Sequence, residues 1–89
     1  MSVESIRPRW YGSANLRLRP EIDLQAERLN RGLSQEAIAD EIGVSRRIWQ
    51  RAESGLGVSP RNAFTIASYF DAKVTELWEP DPDPDPIAA

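Results

Sequence analysis

Cysteine and histidine are both absent from the 89-residue sequence. Without cysteine the chain has no disulfide framework, no thiol nucleophile and no thiolate metal site. Without histidine it lacks the commonest general base and the commonest zinc ligand of proteins. A Gly-rich phosphate loop and a nucleophile elbow are also missing. An enzyme would have to use carboxylates, Lys, Tyr or Ser, and the pattern offers no pair of acids a buried pocket. We therefore expect a protein that is not an enzyme and that has no cofactor and no metal site.

The sequence has no apolar run that approaches the length of a membrane span. Its first four residues, Met-Ser-Val-Glu, lack the basic and then apolar layout of a signal peptide. Hydrophobic residues nevertheless make up 40% of the chain, and three Trp, two Tyr and two Phe are present, which is enough to form a core. These features predict one small soluble domain in the cytoplasm, without membrane contact.

Acidic residues outnumber basic ones, but the two kinds are unevenly distributed. The net charge is −3, from 14 acidic and 11 basic side chains. Residues 1–74 hold all 11 basic side chains and 9 acidic ones, whereas residues 75–89 hold 5 acidic side chains and no basic one. The acidity is therefore largely a property of the C-terminal tail, and the rest of the chain has a net charge of +2.

Composition divides the chain into three segments. Residues 1–19 have four arginines and no helical period, which predicts an N-terminal arm or a short hairpin. Residues 20–78 carry helix start and stop signals and are predicted to form the folded domain. Residues 79–89 begin with alternating Pro and acidic residues, which predicts an extended, disordered acidic tail.

Capping residues within the folded segment predict four helices and a final short one. Pro20 suits the first position of a helix, and Ser34, Ser45 and Ser59 are suitable N-caps for the next three. Glycines follow the first three of these helices and mark where they stop. The predicted helices are residues 20–31, 35–42, 46–54, 60–70 and 74–78. The fold class is predicted as all-α, a compact bundle of four or five helices.

The second and third predicted helices are joined by only three residues, Gly43-Val44-Ser45. So short a joint makes the two helices cross at a steep angle, which requires a small residue at the crossing and a glycine in the turn. Ala39 and Gly43 satisfy both requirements. The pattern predicts a helix-turn-helix.

Residues 20–78 resemble the lambda-repressor and Cro-like helix-turn-helix family of DNA-binding regulators. Five features at fixed spacing carry the resemblance: Gln35 opening the first motif helix, Ala39, the turn 43–45, Glu53-x-Gly55 and a fourth helix led by Pro60. The resemblance implies a sequence-specific double-stranded DNA-binding transcriptional regulator, most simply a repressor. It also implies a homodimer on a pseudo-palindromic operator, with two recognition helices about 34 Å apart.

A second interpretation stays open. A helix-turn-helix core can serve as a protein-interaction module that does not bind specific DNA. The net acidity of the chain and the absence of basic residues from the loop 56–59 favour this interpretation.

The third predicted helix has an apolar side and a cationic side. A turn of 100° per residue places Ala52 on the side of Trp49, and Arg47 on the opposite side. Arginines in the first turn oppose the helix dipole, so a helix selected for stability alone would have acids there. We therefore predict that this side reads base edges in a major groove. The predicted base-reading residues are Arg46, Arg47, Gln50 and Arg51.

Other residues are assigned to the DNA backbone or to the structure. Because the loop 56–59 has no basic residue, affinity for phosphates is predicted either to depend on the arginines of the arm or to be weak. The predicted phosphate contacts are Gln35, Ser45, Arg61, Arg17 and Arg19. The resemblance further implies a partly buried, structural ion pair between Arg28 and Glu53.

Two predictions concern the C-terminal end of the chain. Leu77 and Trp78, at the edge of so small a domain, are candidates for a subunit interface. The acidic tail is either a solubility tail or a tethered polyanion that competes with phosphates for the arginine surface.

Overall fold

The computed structural model of the protein describes residues 15–82. The predictions for the arm up to residue 14 and for the tail from residue 83 lie outside the described residues. Within the described part, the chain forms five helices and two short strands. In chain order these are β1 (Leu16–Leu18), α1 (Leu24–Asn30), α2 (Gln35–Ile42), α3 (Arg46–Glu53), α4 (Pro60–Tyr69), α5 (Val74–Leu77) and β2 (Trp78–Pro80).

The N-termini of the first four helices are fixed by side chains of the sequence itself. The predicted caps Ser34, Ser45 and Ser59 each accept a hydrogen bond from the backbone N–H three residues later. The first helix was expected to begin at Pro20, and that prediction is wrong. It begins at Leu24, because the Asp23 carboxylate accepts from the Ala26 N–H at 3.0 Å and caps it.

The turn between α2 and α3 has the left-handed backbone that its sequence predicts. Gly43 has a φ of 94°, a value that residues with a Cβ atom rarely adopt. Its N–H donates to the Ala39 carbonyl oxygen at 2.8 Å, and the Val44 N–H donates to the same oxygen at 3.0 Å. Two hydrogen bonds to the Ala39 carbonyl oxygen therefore close the C-terminal end of α2.

The prediction of an all-α fold is wrong in one respect, because β1 and β2 form a two-stranded antiparallel sheet. The sheet pairs Leu16 with Pro80 and Leu18 with Trp78. Leu16 also bridges Val58 with two backbone hydrogen bonds of 2.9 and 2.8 Å. The start of the predicted tail is thus part of the fold, and so is the end of the predicted arm.

The core lies between the sheet and the helices. Its largest fully buried side chains are Trp49, Trp78, Leu16, Leu24, Ile38, Ile66 and Val58. Trp78 is 0% exposed and Leu77 is 8% exposed within the single chain. The prediction that these two residues form a subunit interface is therefore wrong, because the chain itself covers them. No helix within residues 15–82 is long and apolar enough to span a membrane.

Candidate nucleic-acid interface

Helix α3 presents one face to the core and the opposite face to solvent. Trp49 and Ala52 are completely buried. Arg46 and Arg47, in the first turn, are exposed. The Ser45 hydroxyl accepts from the Ile48 N–H at 3.1 Å, so the cap fixes the direction in which this first turn projects. The side of α3 that is available to a ligand is therefore the cationic one.

The end of α3 is tied to α1 by a two-point ion pair. Arg28 Nε donates to Glu53 Oε2 at 2.8 Å, and Arg28 Nη2 donates to Glu53 Oε1 at 3.3 Å. The two side chains are only 11% and 8% exposed. Arg28 Nη1 also donates to the Leu33 carbonyl oxygen at 3.0 Å. The guanidinium thus joins α1, the loop before α2 and the end of α3.

Two further side chains donate to the same carboxylate. Trp49 Nε1 donates to Glu53 Oε2 at 2.7 Å, and Gln35 Nε2 donates to Oε1 at 2.9 Å. The Trp49 contact was not predicted, although its signal is present in the sequence as an indole and a carboxylate four residues apart on one helix. Glu53 is therefore surrounded by donors and holds the start of α2 against the end of α3.

These contacts determine the ionisation of Glu53. Burial by itself raises the pKa of the Glu53 carboxyl. The hydrogen bonds from Arg28, Gln35 and Trp49, together with the positive charge of Arg28, outweigh burial and hold the pKa below its ordinary value of 4.5. Hydrogen bonding to Glu53 in turn raises the pKa of Arg28. The pair is therefore ionised near neutral pH.

An ionised Glu53 also orients the amide of Gln35. Because a carboxylate only accepts hydrogen bonds, the Gln35 group that faces it must be the NH₂ group. The Gln35 Oε1 then points to the neighbouring helix, where it accepts from Gln50 Nε2 at 3.1 Å. With its oxygen occupied and one N–H used, Gln35 retains one N–H donor. A donor at the start of α2 suits an anionic group such as a phosphate.

Two other predicted DNA contacts flank the loop that follows α3. Arg51 is half-buried, and its Nε donates to the Gly57 carbonyl oxygen at 2.9 Å. Arg61 is exposed in the first turn of α4, which Ser59 caps. Arg51, a predicted base-reading residue, therefore lies against the loop. Arg61, a predicted phosphate contact, is exposed to solvent.

The arginines of β1 lie against the acidic end of the fold. Arg17 Nε is 2.7 Å from Glu79 Oε2, and Arg19 Nη1 is 3.8 Å from Glu79 Oε1. Arg19 Nε also donates to the Thr75 carbonyl oxygen at 2.8 Å. The sequence pattern did not indicate these contacts, because their partners lie more than fifty residues away along the chain.

Asp81, in the predicted tail, lies next to Asn15 and next to the loop between α3 and α4. The Asp81 N–H donates to the Asn15 carbonyl oxygen at 3.1 Å, one step beyond the paired residues of β1 and β2. The Asp81 carboxylate lies against Gly57 so closely that a Cβ on Gly57 would collide with Oδ2. A Cβ at Gly57 would therefore displace the end of the Asp81 side chain, a shift that this flexible side chain can accommodate.

Comparison with known proteins gives one match. A family model described as helix-turn-helix matches residues 24–77, which is more than half of the chain and includes α1 to α5. No curated protein and no solved structure matches the chain.

Proposed function

The chain belongs to the lambda-repressor and Cro-like helix-turn-helix family of DNA-binding regulators, and from this premise we propose that it is a sequence-specific repressor that reads double-stranded DNA with α3. In this role α3 lies in a major groove, where Arg46, Arg47 and Arg51 donate to base edges and Gln50 contacts a neighbouring base. A repressor of this kind acts by covering an operator that overlaps a promoter.

One observation carries the proposal. The face of α3 that holds Trp49 and Ala52 is completely buried, and the exposed first turn holds Arg46 and Arg47. Two adjacent cations at the positive end of a helix dipole are unfavourable for the isolated fold. A polyanion that neutralises them removes this cost, and duplex DNA supplies both the negative charge and the acceptor atoms of guanine.

Phosphate contacts are proposed on both sides of α3. The remaining N–H of Gln35 and the exposed Ser45 can contact DNA phosphates that lie next to the starts of α2 and α3. Arg61 can contact DNA phosphates that lie next to α4. Arg17 and Arg19 stay proposed phosphate contacts. Because both lie within ion-pair distance of Glu79, we expect each to contribute less than Arg61.

We further propose that two copies bind a pseudo-palindromic operator as a two-fold dimer. A two-fold arrangement places two α3 helices about 34 Å apart, so that each copy reads one half-site on the same side of the duplex. The expected footprint is therefore two similar half-sites whose centres are about 10 base pairs apart. Analytical ultracentrifugation with and without the selected duplex measures the number of copies bound.

The deciding experiment is selection of bound sequences from a pool of random duplex DNA. We expect enrichment of a pseudo-palindrome, and we expect its binding constant to fall steeply as salt rises, because each phosphate contact releases counterions. Transcription in vitro from a promoter that overlaps the selected sequence then tests repression. Failure to enrich any sequence, with no salt-dependent binding to random duplex, would favour the protein-interaction module instead.

A further inference from the structure

A network of three hydrogen-bonded side chains extends from the buried ion pair to the solvent side of α3. Gln35 Nε2 donates to Glu53 Oε1 at 2.9 Å, and Gln50 Nε2 donates to Gln35 Oε1 at 3.1 Å. Glu53, at one end, is only 8% exposed. Gln50, at the other end, shares a helix face with Arg46 and Arg47, which precede it by four and three residues. The network therefore connects the core to the surface that the proposed function assigns to DNA.

The carboxylate gives the hydrogen bonds of this network a single direction. A carboxylate only accepts hydrogen bonds, whereas a primary amide has an accepting end and a donating end. Because Glu53 is ionised near neutral pH, it faces the NH₂ group of Gln35 and leaves the Gln35 oxygen to face Gln50. That oxygen in turn faces the NH₂ group of Gln50. Turning the Gln35 amide around would place its oxygen against the oxygen of a buried carboxylate, which is unfavourable.

The same direction determines which atoms Gln50 has left for a ligand. One N–H of Gln50 is used on Gln35, and neither its second N–H nor its oxygen has a partner within residues 15–82. Gln50 can thus offer a donor and an acceptor together. In a major groove adenine presents the N7 acceptor beside the N6–H donor, whereas guanine presents two acceptors, N7 and O6. The free atoms of Gln50 match adenine and do not match guanine.

We propose that Gln50 reads an adenine of the operator with its amide oxygen and one N–H, and that Gln35, held by Glu53, is the positioning residue that orients this amide. The inference rests on the proposed function, because it assigns a base to one residue of the same α3 surface. Gln50 donates to N7 and accepts from N6–H, while its other N–H stays on Gln35. In the opposite orientation the Gln50 NH₂ group would face the groove, and two donors suit guanine. Glu53 thus helps to determine the preferred base without touching DNA.

The first test uses the full-length protein and the duplex selected from the random pool. Each A·T pair of the selected half-site is replaced in turn by G·C, and fluorescence anisotropy measures the affinity for every duplex. We expect one pair at which the wild type prefers A·T by about 5- to 150-fold, the range for one bidentate base contact. Gln50→Ala should abolish the preference at that pair alone. The matched control Gln25→Ala removes an exposed glutamine amide from α1 and should leave every preference unchanged.

A base analogue tests the contact at a single atom. 7-Deazaadenine lacks the N7 acceptor but keeps the N6 amino group and still pairs with thymine. At the assigned position it should weaken binding by the wild type and leave binding by Gln50→Ala unaffected, because the donor that N7 meets is then absent. An equal loss in both proteins would show that another side chain meets N7, which would overturn the assignment to Gln50.

The positioning role of Gln35 is tested by Gln35→Met, which keeps the length of the side chain and removes its amide. The Gln50 amide can then rotate, so the preference for A·T at the assigned pair should fall toward that of Gln50→Ala, with the other preferences retained. Loss of a phosphate contact or of stability would instead weaken binding to all duplexes by one factor. An unchanged preference at the assigned pair would overturn the positioning role. Thermal unfolding of each variant checks that the fold is retained.

The results also separate this inference from the proposed function. If a pseudo-palindrome is selected but Gln50→Ala changes no base preference, or changes a preference for G·C, the inference is overturned and the proposed function stands. If neither the wild type nor any variant binds a duplex at low salt, both are overturned.

Discussion

Arg17 and Glu79, 62 residues apart in the chain, face each other across β1 and β2 with Nε 2.7 Å from Oε2. Arg17 belongs to the predicted N-terminal arm, and Glu79 is the first residue of the predicted acidic tail. Because both side chains remain partly exposed, their ion pair contributes little to stability. The pairing of the two strands depends on the buried leucines on either side of Arg17.

We expect Leu16→Ala to lower the free energy of unfolding by about 2 to 5 kcal/mol, since Leu16 is 1% exposed and its removal leaves a cavity. Leu29→Ala is the matched control, because Leu29 is 59% exposed and its truncation should change stability by less than about 0.5 kcal/mol. Urea unfolding followed by tryptophan fluorescence measures both. Equal losses for the two variants would show that β1 does not belong to the folding unit.

Glu53→Ala should destabilise the protein by about 3 kcal/mol or more, because Arg28 and the Trp49 indole N–H lose their acceptor in a buried setting. Urea unfolding at neutral pH measures the loss. A change below about 1 kcal/mol would mean that water replaces the carboxylate without penalty, and that the ion pair does not join α1 to α3.

The stability of the wild type should fall as the pH is lowered below about 4.5, the ordinary value for Glu53. The folded-state pKa of Glu53 is lower than this value, so the unfolded chain takes up the proton first and protonation favours unfolding. The contribution is complete above the unfolded pKa and is lost as the pH falls through the folded pKa. Glu53→Gln removes this titration, so its unfolding free energy should fall less steeply over the same pH range. Parallel curves for the two proteins would contradict the assignment.

Gly43→Ala should cost about 1 to 2 kcal/mol, although no heavy atom lies within 4 Å of the Cβ position. The cost arises from the backbone, whose φ of 94° is unfavourable for alanine. Gly43→Asn should cost less, because asparagine adopts left-handed conformations more readily. Urea unfolding of the two variants separates backbone strain from steric collision. An equal loss for both would indicate a collision in place of strain.

Arg47→Ala should weaken binding to the selected sequence by about 1 to 3 kcal/mol and relax the base preference at one position. Arg61→Ala should weaken binding to all duplexes alike and reduce the slope of log K against log salt by about 1. Fluorescence anisotropy with selected and random duplexes at several salt concentrations measures both effects. If Arg47→Ala weakens the two duplexes equally, Arg47 is a phosphate contact.

Local signals in the sequence determined most of the helical architecture. The caps at Ser34, Ser45 and Ser59 and the left-handed turn at Gly43 each depend on atoms within a few residues of one another, so their patterns can be recognised without a fold. The buried and exposed faces of α3 follow from the same local periodicity. The start of α1 was misplaced because both Pro20 and Asp23 are suitable start signals, and the Asp23 side chain makes the capping bond.

Tertiary structure alone decided where the two ends of the domain meet. Three residues of β1 and three of β2 are too short to show a strand period, and they lie about sixty residues apart, so burial of Leu16 and Trp78 in one core determines their pairing. The position of Asp81 on Gly57 follows from that pairing, as does the ion pair of Arg17 with Glu79. The sequence by itself indicates the residues that are proposed to bind DNA, because the chemistry of each side chain is local. Packing between distant segments decides which of these residues already contact another part of the same chain.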